Sequence, residues 1–214
     1  MTHVLPEDIE RTSMAIIQAE LDRMGVVLPE EQGAVIKRVI HTTADFDYAE
    51  NLRFSPGAVE KGVAALKRGV PIVTDTNMVK AGVSRPALEK LGGNVCCFMA
   101  DPAIAERARN EGTTRAVAAV KQAVLDYSGA IFAVGNAPTA LLELAGQIEA
   151  GLRPALVIGV PVGFVNVVES KERIWRTCTD CGVPVIAAMG RKGGSTVAAA
   201  ICNALLYTII NRNI

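Results

Sequence analysis

Aromatic side chains make up only 4% of this 214-residue chain, and histidine occurs twice. So few rings do not suit a surface that stacks nucleobases. Neither sign of charge dominates, since 22 Lys and Arg balance 22 Asp and Glu. That excludes the global basic excess of a nucleic-acid binder, while leaving room for a local basic site facing a small anion. The longest apolar stretch near the C-terminus, residues 196–210, is too short for a membrane span and contains Asn203. The first thirteen residues carry no basic flank and no apolar core, unlike a secretory signal. The five cysteines are odd in number and scattered through apolar or mixed segments rather than set in a disulfide framework. A cytoplasmic protein is expected, with neither nucleic acid nor membrane as partner.

Half of the residues are hydrophobic, ample for a buried core in one α/β domain spanning 1–214. The first third reads as helical. Residues 6–24 carry Ile9, Met14, Ile16, Ile17 and Leu21 at helical spacing. Pro29 is expected in the first turn of a second helix, with Val35, Val39 and Ile40 inward. Ser55-Pro56 is expected to cap a third helix that ends near Gly69. Short, non-alternating apolar runs then appear at 71–74, 94–98, 130–134, 155–159 and 185–188, as expected of strands buried on both faces. Amphipathic stretches at 85–91, 114–127, 138–150, 165–179 and 195–210 separate or follow them. The alternation predicts a three-layer α/β sandwich: a mostly parallel sheet of about five strands between helices, preceded by the helical segment.

In such sheets ligands bind at the loops that leave the strand C-termini. Here these loops are Thr74-Asp75-Thr76-Asn77, Gly135-Asn136-Ala137-Pro138-Thr139, Gly159-Val160-Pro161-Val162-Gly163-Phe164 and Gly190-Arg191-Lys192-Gly193-Gly194-Ser195. Any one of them reads equally well as ordinary strand-to-helix turn chemistry. Three glycine-rich loops at one sheet edge point to a binding face, where helix N-termini favour anions. No Walker P-loop, no G-x-G-x-x-G after the first strand and no G-x-S-x-G elbow is present. Nucleotide-dependent chemistry is therefore the weakest reading. Cys178-Thr179-Asp180-Cys181 closes a helix without a partner pair, which suits a structural or incidental pair better than a redox or zinc motif. Cys96 and Cys97 read as small buried strand residues.

His3 sits in an N-terminal tail. His41 ends the second helix and is either an acid–base group or a cap whose cation suits the helix dipole. Asp75 either serves the site or caps the next helix. Arg115 is either a solvated charge or a fork for a carboxylate.

Glu10-Arg11-Thr12-Ser13-Met14-Ala15-Ile16-Ile17 and Arg38-Val39-Ile40-His41 resemble the precorrin-8X methylmutase family, as do Phe54-Ser55-Pro56 and Pro71-Ile72-Val73-Thr74-Asp75. The resemblance continues in order through Gly135-Asn136-Ala137-Pro138-Thr139-Ala140-Leu141, Gly159-Val160-Pro161-Val162-Gly163-Phe164-Val165, Glu169-Ser170-Lys171 and Gly190-Arg191-Lys192-Gly193-Gly194-Ser195. It implies a homodimeric α/β isomerase of corrin biosynthesis with sites near the subunit interface. The implied reaction moves a methyl group from ring carbon 11 to ring carbon 12 of precorrin-8X or its cobalt form. His41 matches the family's proton-transfer histidine, and Ser13 and Arg38 match substrate-binding positions. The residues after His41, Thr42 to Asp45 with Asp47 and Tyr48, look like the cobalt-bearing branch.

The substrate so implied is an anionic macrocycle. Thr42, Asp75, Arg115, Asn136, Gly163, Arg191 and Gly193 join Ser13 and Arg38 as expected substrate-binding positions, with Lys192 a further carboxylate partner. No cofactor and no protein-bound metal is expected, any cobalt arriving inside the substrate. A tetrapyrrole carrier without turnover is the alternative.

Overall fold

The computed structural model describes residues 6–210, with side chains from Asp8 onward; His3 lies outside them. One six-stranded sheet runs in the order β1-β6-β5-β4-β2-β3, where β1 is Leu52–Phe54, β2 Ile72–Thr74, β3 Val95–Cys97, β4 Ile131–Val134, β5 Leu156–Gly159 and β6 Val185–Ala188. All pairs are parallel except β1 against β6. The five expected strands are all present, and β1 is a sixth. It is an edge strand of three residues, Leu-Arg-Phe, with Arg53 exposed, too short and too polar to stand out as an apolar run.

Eleven helices surround the sheet among the described residues. They are α1 Pro6–Arg23, α2 Glu30–Thr43, α3 Tyr48–Asn51, α4 Ala58–Lys67, α5 Asn77–Gly82, α6 Arg85–Lys90, α7 Pro102–Asn110, α8 Arg115–Asp126, α9 Pro138–Glu149, α10 Val167–Asp180 and α11 Ser195–Ile209. Three of them, α3, α5 and α7, were not expected from periodicity; each is shorter than three turns. None of the helices is long and apolar enough to cross a membrane.

The central strands bury both faces by strict alternation. Ile131, Ala133, Leu156, Ile158, Ile186 and Ala188 point to a first face, under α1, α2, α4, α5, α6 and α11. Phe132, Val134, Val157, Val185 and Ala187 point to the second, under α8, α9 and α10. The outer strand β3 departs from this pattern. Cys96 and Cys97 are only half-buried, because an edge strand has a neighbour on one side alone.

Two helix starts differ from expectation. Pro29 occupies the N-cap position of α2, just outside the helix. Ser55 does not cap α4. Its hydroxyl accepts the Val185 amide at 2.9 Å, pinning the chain leaving β1 to the start of β6, while Gly57, in a left-handed conformation, precedes α4. The tertiary bond to a buried strand amide outweighs the local capping option.

Leu144 lies fully buried in the layer between α9 and the second face. Leu144→Ala removes that contact and leaves a cavity, so it should lower the unfolding free energy by about 2–5 kcal/mol. Urea denaturation checks this, with the midpoint moving and the slope unchanged.

Candidate functional site

Connections from neighbouring strands leave to opposite faces at two places. The chain from β2 goes to the first face through α5, while that from β4 goes to the second through α9. The chain from β5 goes to the second face through α10, while that from β6 returns to the first through α11. Each divergence opens a crevice beyond the strand C-termini, where α/β sheets bind ligands.

Asp75 bridges the first crevice. It is 6% exposed. Its Oδ1 accepts the Gly135 amide at 2.8 Å, and its Oδ2 accepts those of Asn136 at 2.8 Å and Ala137 at 2.7 Å. Burial raises its carboxyl above the ordinary range, and the three amide bonds oppose that shift. Asp75 does not cap the helix that follows. That role belongs to Thr76, which accepts the Val79 amide and meets the Ser195 hydroxyl at 3.0 Å. The loop has no room to spare, since a Cβ on Gly135 would lie 2.8 Å from the Ser195 Cα. Asn136 itself is exposed at the crest of the loop.

The second crevice holds Gly163, Arg191 and Gly193. The Gly163 amide donates to the Arg191 carbonyl at 3.3 Å, and the Gly194 amide to the Val160 carbonyl at 2.7 Å. Gly193 has φ +157°, and a Cβ there would stand 2.2 Å from the Val160 oxygen. No other residue fits. From beneath, Lys171 donates to the Gly190 carbonyl at 3.0 Å and the Lys192 carbonyl at 2.7 Å. Lys171 is wholly buried, and burial depresses its ammonium to about 8. Beside this loop stand Val162, Phe164 and Val165, all exposed, Phe164 by 83%. The Arg191 guanidinium lies 5.5 Å over the Phe164 ring. Exposed apolar side chains edged by a cation suit a flat apolar ligand with anionic substituents.

His41 comes from the first face. It occupies the last turn of α2 and is exposed, with no hydrogen-bond or ion-pair partner among the described residues. The cap position belongs instead to Ala44, left-handed at φ 54°, whose amide bonds the Ile40 carbonyl at 2.7 Å. Thr42, exposed beside His41, donates its hydroxyl to the Arg38 carbonyl at 2.9 Å. Arg38 itself is buried. It pairs with Glu10 of α1 and lies 5.1 Å from the Tyr207 ring of α11, with its Nε unpartnered. Ser13, half-buried, sits one turn beyond Glu10 on α1. Three residues apart on α2, Arg38 and His41 thus have different surroundings: one locks α1 to α2, and the other is open.

The Lys192 ammonium joins the two groups of residues, pairing with Asp45 at 2.7 Å and with Asp47. Arg115 stands apart from this link. It is exposed at the start of α8, donating at 3.4 Å to the Met99 carbonyl, next to Thr114, whose hydroxyl reaches Thr139 of the Asn136 loop at 3.2 Å.

Sequence reasoning placed Phe164 in a strand-end loop but missed its exposure, and it missed Lys171 and the Asp45–Asp47 pair as parts of this edge. Lys171 had a signal: it falls on the buried stripe Val167, Ile174 and Cys178 of α10. Phe164 and the acid pair had none, because exposure and cross-loop pairing are tertiary. The Cys178 thiol is buried and pushed up to about 12, with Cys181 capping α10. A hollow of about 400 Å³ lined by Ser55, Pro56, Cys178 and Thr179 lies at the opposite end of the strands, away from these loops.

The architecture is that of an α/β protein whose strand C-termini carry glycine-rich strand-to-helix loops. The precorrin-8X methylmutase family model matches residues 8–208. A cobalt-precorrin-8 methylmutase of Priestia megaterium is 41% identical over 203 residues, covering 94% of this chain and 88% of the relative. That of Salmonella typhimurium is 43% identical over 209 residues, covering 94% and 95%. The crystal structure of a precorrin-8X methylmutase from Thermus thermophilus superposes with a TM-score of 0.84 at 40% identity, covering 96% of this chain and 99% of that one. The chain belongs to the precorrin-8X methylmutase family. It is an isomerase of cobalamin biosynthesis.

Two outcomes follow from the buried charges. Asp75→Asn turns one acceptor into a donor that faces amide donors, so stability should drop by about 1–3 kcal/mol. Amide exchange should quicken at 135–137, and unchanged exchange there would contradict the role given to Asp75. For Lys171, the unfolded lysine keeps its proton up to about 10.5 while the folded one releases it near 8. Wild type should therefore gain stability relative to Lys171→Met as pH rises from about 8 to about 10.5, by at most about 1.4 kcal/mol per pH unit, and gain nothing below that window. Denaturation curves across this range read the difference.

Proposed function

We propose that this isomerase moves a methyl group from carbon 11 to carbon 12 of precorrin-8X or cobalt-precorrin-8, yielding hydrogenobyrinate or cobyrinate, with His41 as the proton carrier. The observation that carries this reading is the His41 ring, open and unpartnered at the end of α2, on a turn tied by Lys192 to the glycine-rich strand edge. His41 donates a proton to the conjugated macrocycle. The ring becomes electron-poor, the methyl group migrates with its bonding pair, and the proton returns. Mass and oxidation state are unchanged, so no cofactor is required, and any cobalt belongs to the substrate.

The macrocycle is flat, apolar and rimmed by carboxylates. Phe164, Val162 and Val165 offer the apolar contact. Arg191 and Arg115 offer charge, and the exposed Asn136 side chain offers hydrogen bonds, while Gly163 and Gly193 let the backbone of the second loop come close to the ring. Thr42, next to His41, and Ser13, on α1, are further substrate contacts. Arg38 serves through Glu10, holding α1 on α2, and takes a substrate carboxylate only by exchanging that partner. Asp75 acts by shaping the Asn136 loop. The enzyme works as a homodimer in the cytoplasm, where its five cysteines, all free, stay reduced.

His41→Ala should lower turnover by about 10²–10⁴-fold while leaving the fold intact. The check is incubation of both purified macrocycles, followed by absorbance and mass. A changed spectrum at constant mass over many turnovers supports isomerisation, whereas near-normal turnover of His41→Ala removes the imidazole from the mechanism.

A further inference from the structure

Lys192 reads in the sequence as one more cation for a substrate carboxylate, yet its ammonium is already engaged. It reaches out of the loop between β6 and α11 to Asp45 and Asp47, which follow α2. The acid pair is built in advance, since the Asp47 amide donates to the Asp45 Oδ1 at 3.0 Å. Lys192 holds the Asp45 carboxyl below its ordinary range, and the two carboxylates raise the lysine above its own.

Both ends of this contact are stiff. On one side, Lys171 grips the Lys192 carbonyl from beneath, and Gly193 is wedged against the Val160 oxygen. On the other, His41 and Asp45 are joined by consecutive closed bonds with no slack between them. The Thr43 hydroxyl donates to the Val39 carbonyl at 2.8 Å, the Ala44 amide bonds the Ile40 carbonyl, and the Asp45 amide donates to the Thr43 hydroxyl at 3.3 Å. Tyr48, buried just beyond, seats α3. Fixing Asp45 therefore fixes the last turn of α2.

We propose that Lys192 is a positioning residue: by gripping Asp45 and Asp47 it docks the His41 turn onto the β6–α11 loop, in register with the crevice that holds Gly163 and Arg191. The contribution lies in geometry. A partly exposed ion pair adds little to stability, so its loss leaves the fold standing and releases the turn. The kinetic part of the inference rests on His41 as proton carrier; the docking itself does not.

Replacing His3 with Gln leaves the His41 ring as the only histidine signal in an NMR spectrum. In that background Lys192→Met should broaden or split the ring signal, and Lys192→Arg should restore one sharp signal. Asp45→Asn with Asp47→Asn, which keeps shape and removes charge, should reproduce the effect of Lys192→Met and serves if the latter fails to fold. With precorrin-8X or cobalt-precorrin-8, Lys192→Met should lose about tenfold or more in kcat, as small misplacements of reacting groups do, with KM little changed and Arg rescuing. One sharp, unshifted His41 signal in either charge-removing variant overturns the docking role. A rise in KM at constant kcat overturns it too, making Lys192 a substrate contact. Failure of the parent enzyme to isomerise either macrocycle, with the ring signal still responding, defeats the proposed function and leaves the docking in place.

Discussion

The strand-end loops must hold backbone polar groups in a nearly dry layer, and two buried charges of opposite sign make this workable. The Asp75 carboxylate collects three amide hydrogens at one crevice, and the Lys171 ammonium collects two carbonyl oxygens at the other. An unpaired charge at either depth would be intolerable. Each is acceptable because the loop supplies the partners that water would otherwise provide. The loops in turn keep conformations that their glycines permit but do not enforce. The edge is thus stiff where its composition suggests flexibility, and a stiff edge would suit the proposed macrocycle, since preorganisation lowers the ordering cost of binding.

Stiffness also links the two faces of the sheet. His41 arrives on α2, which packs mainly on α11, and the glycine loop arrives at the start of that same α11. The Lys192 bridge closes a circuit through α2, α11 and the β6–α11 loop. Within it Arg38 and His41 divide the labour of one helix. The buried cation fastens α1 with Glu10, and the exposed imidazole stays available for chemistry. The proton-carrying role proposed for it needs freedom at its ring and rigidity in its backbone, and the end of a clamped helix provides both.

Much of this was legible in the chain itself. Runs of about five apolar residues marked β2 to β6, because a strand buried on both sides cannot alternate with polar residues. Glycine-rich motifs marked the loops at the strand C-termini, and their order carried the family resemblance that the comparisons bear out. Failures fell where local signals compete with distant partners. Ser55 looks like a cap, but it answers a strand amide 130 residues away. Asp75 looks like a cap for α5, but the neighbouring strand's loop claims it. Strand β1 is invisible because a three-residue edge segment carries no periodicity. Cys96 and Cys97 looked buried, since nothing local tells an edge strand from a central one.

By itself, then, the sequence determined the layer order, the kind of element most segments form and the small set of groups able to carry a proton or hold an anion. Periodicity and composition are local properties that survive in any packing of the chain. Tertiary structure alone decided which charges are spent internally, as with Arg38 on Glu10, Asp75 on three amides and Lys192 on two carboxylates, and which side chains stay open, as with His41 and Phe164. The reason is physical: burial and pairing depend on what lies across a crevice, and residues far apart along the chain come to face each other there only once the sheet has set its strand order.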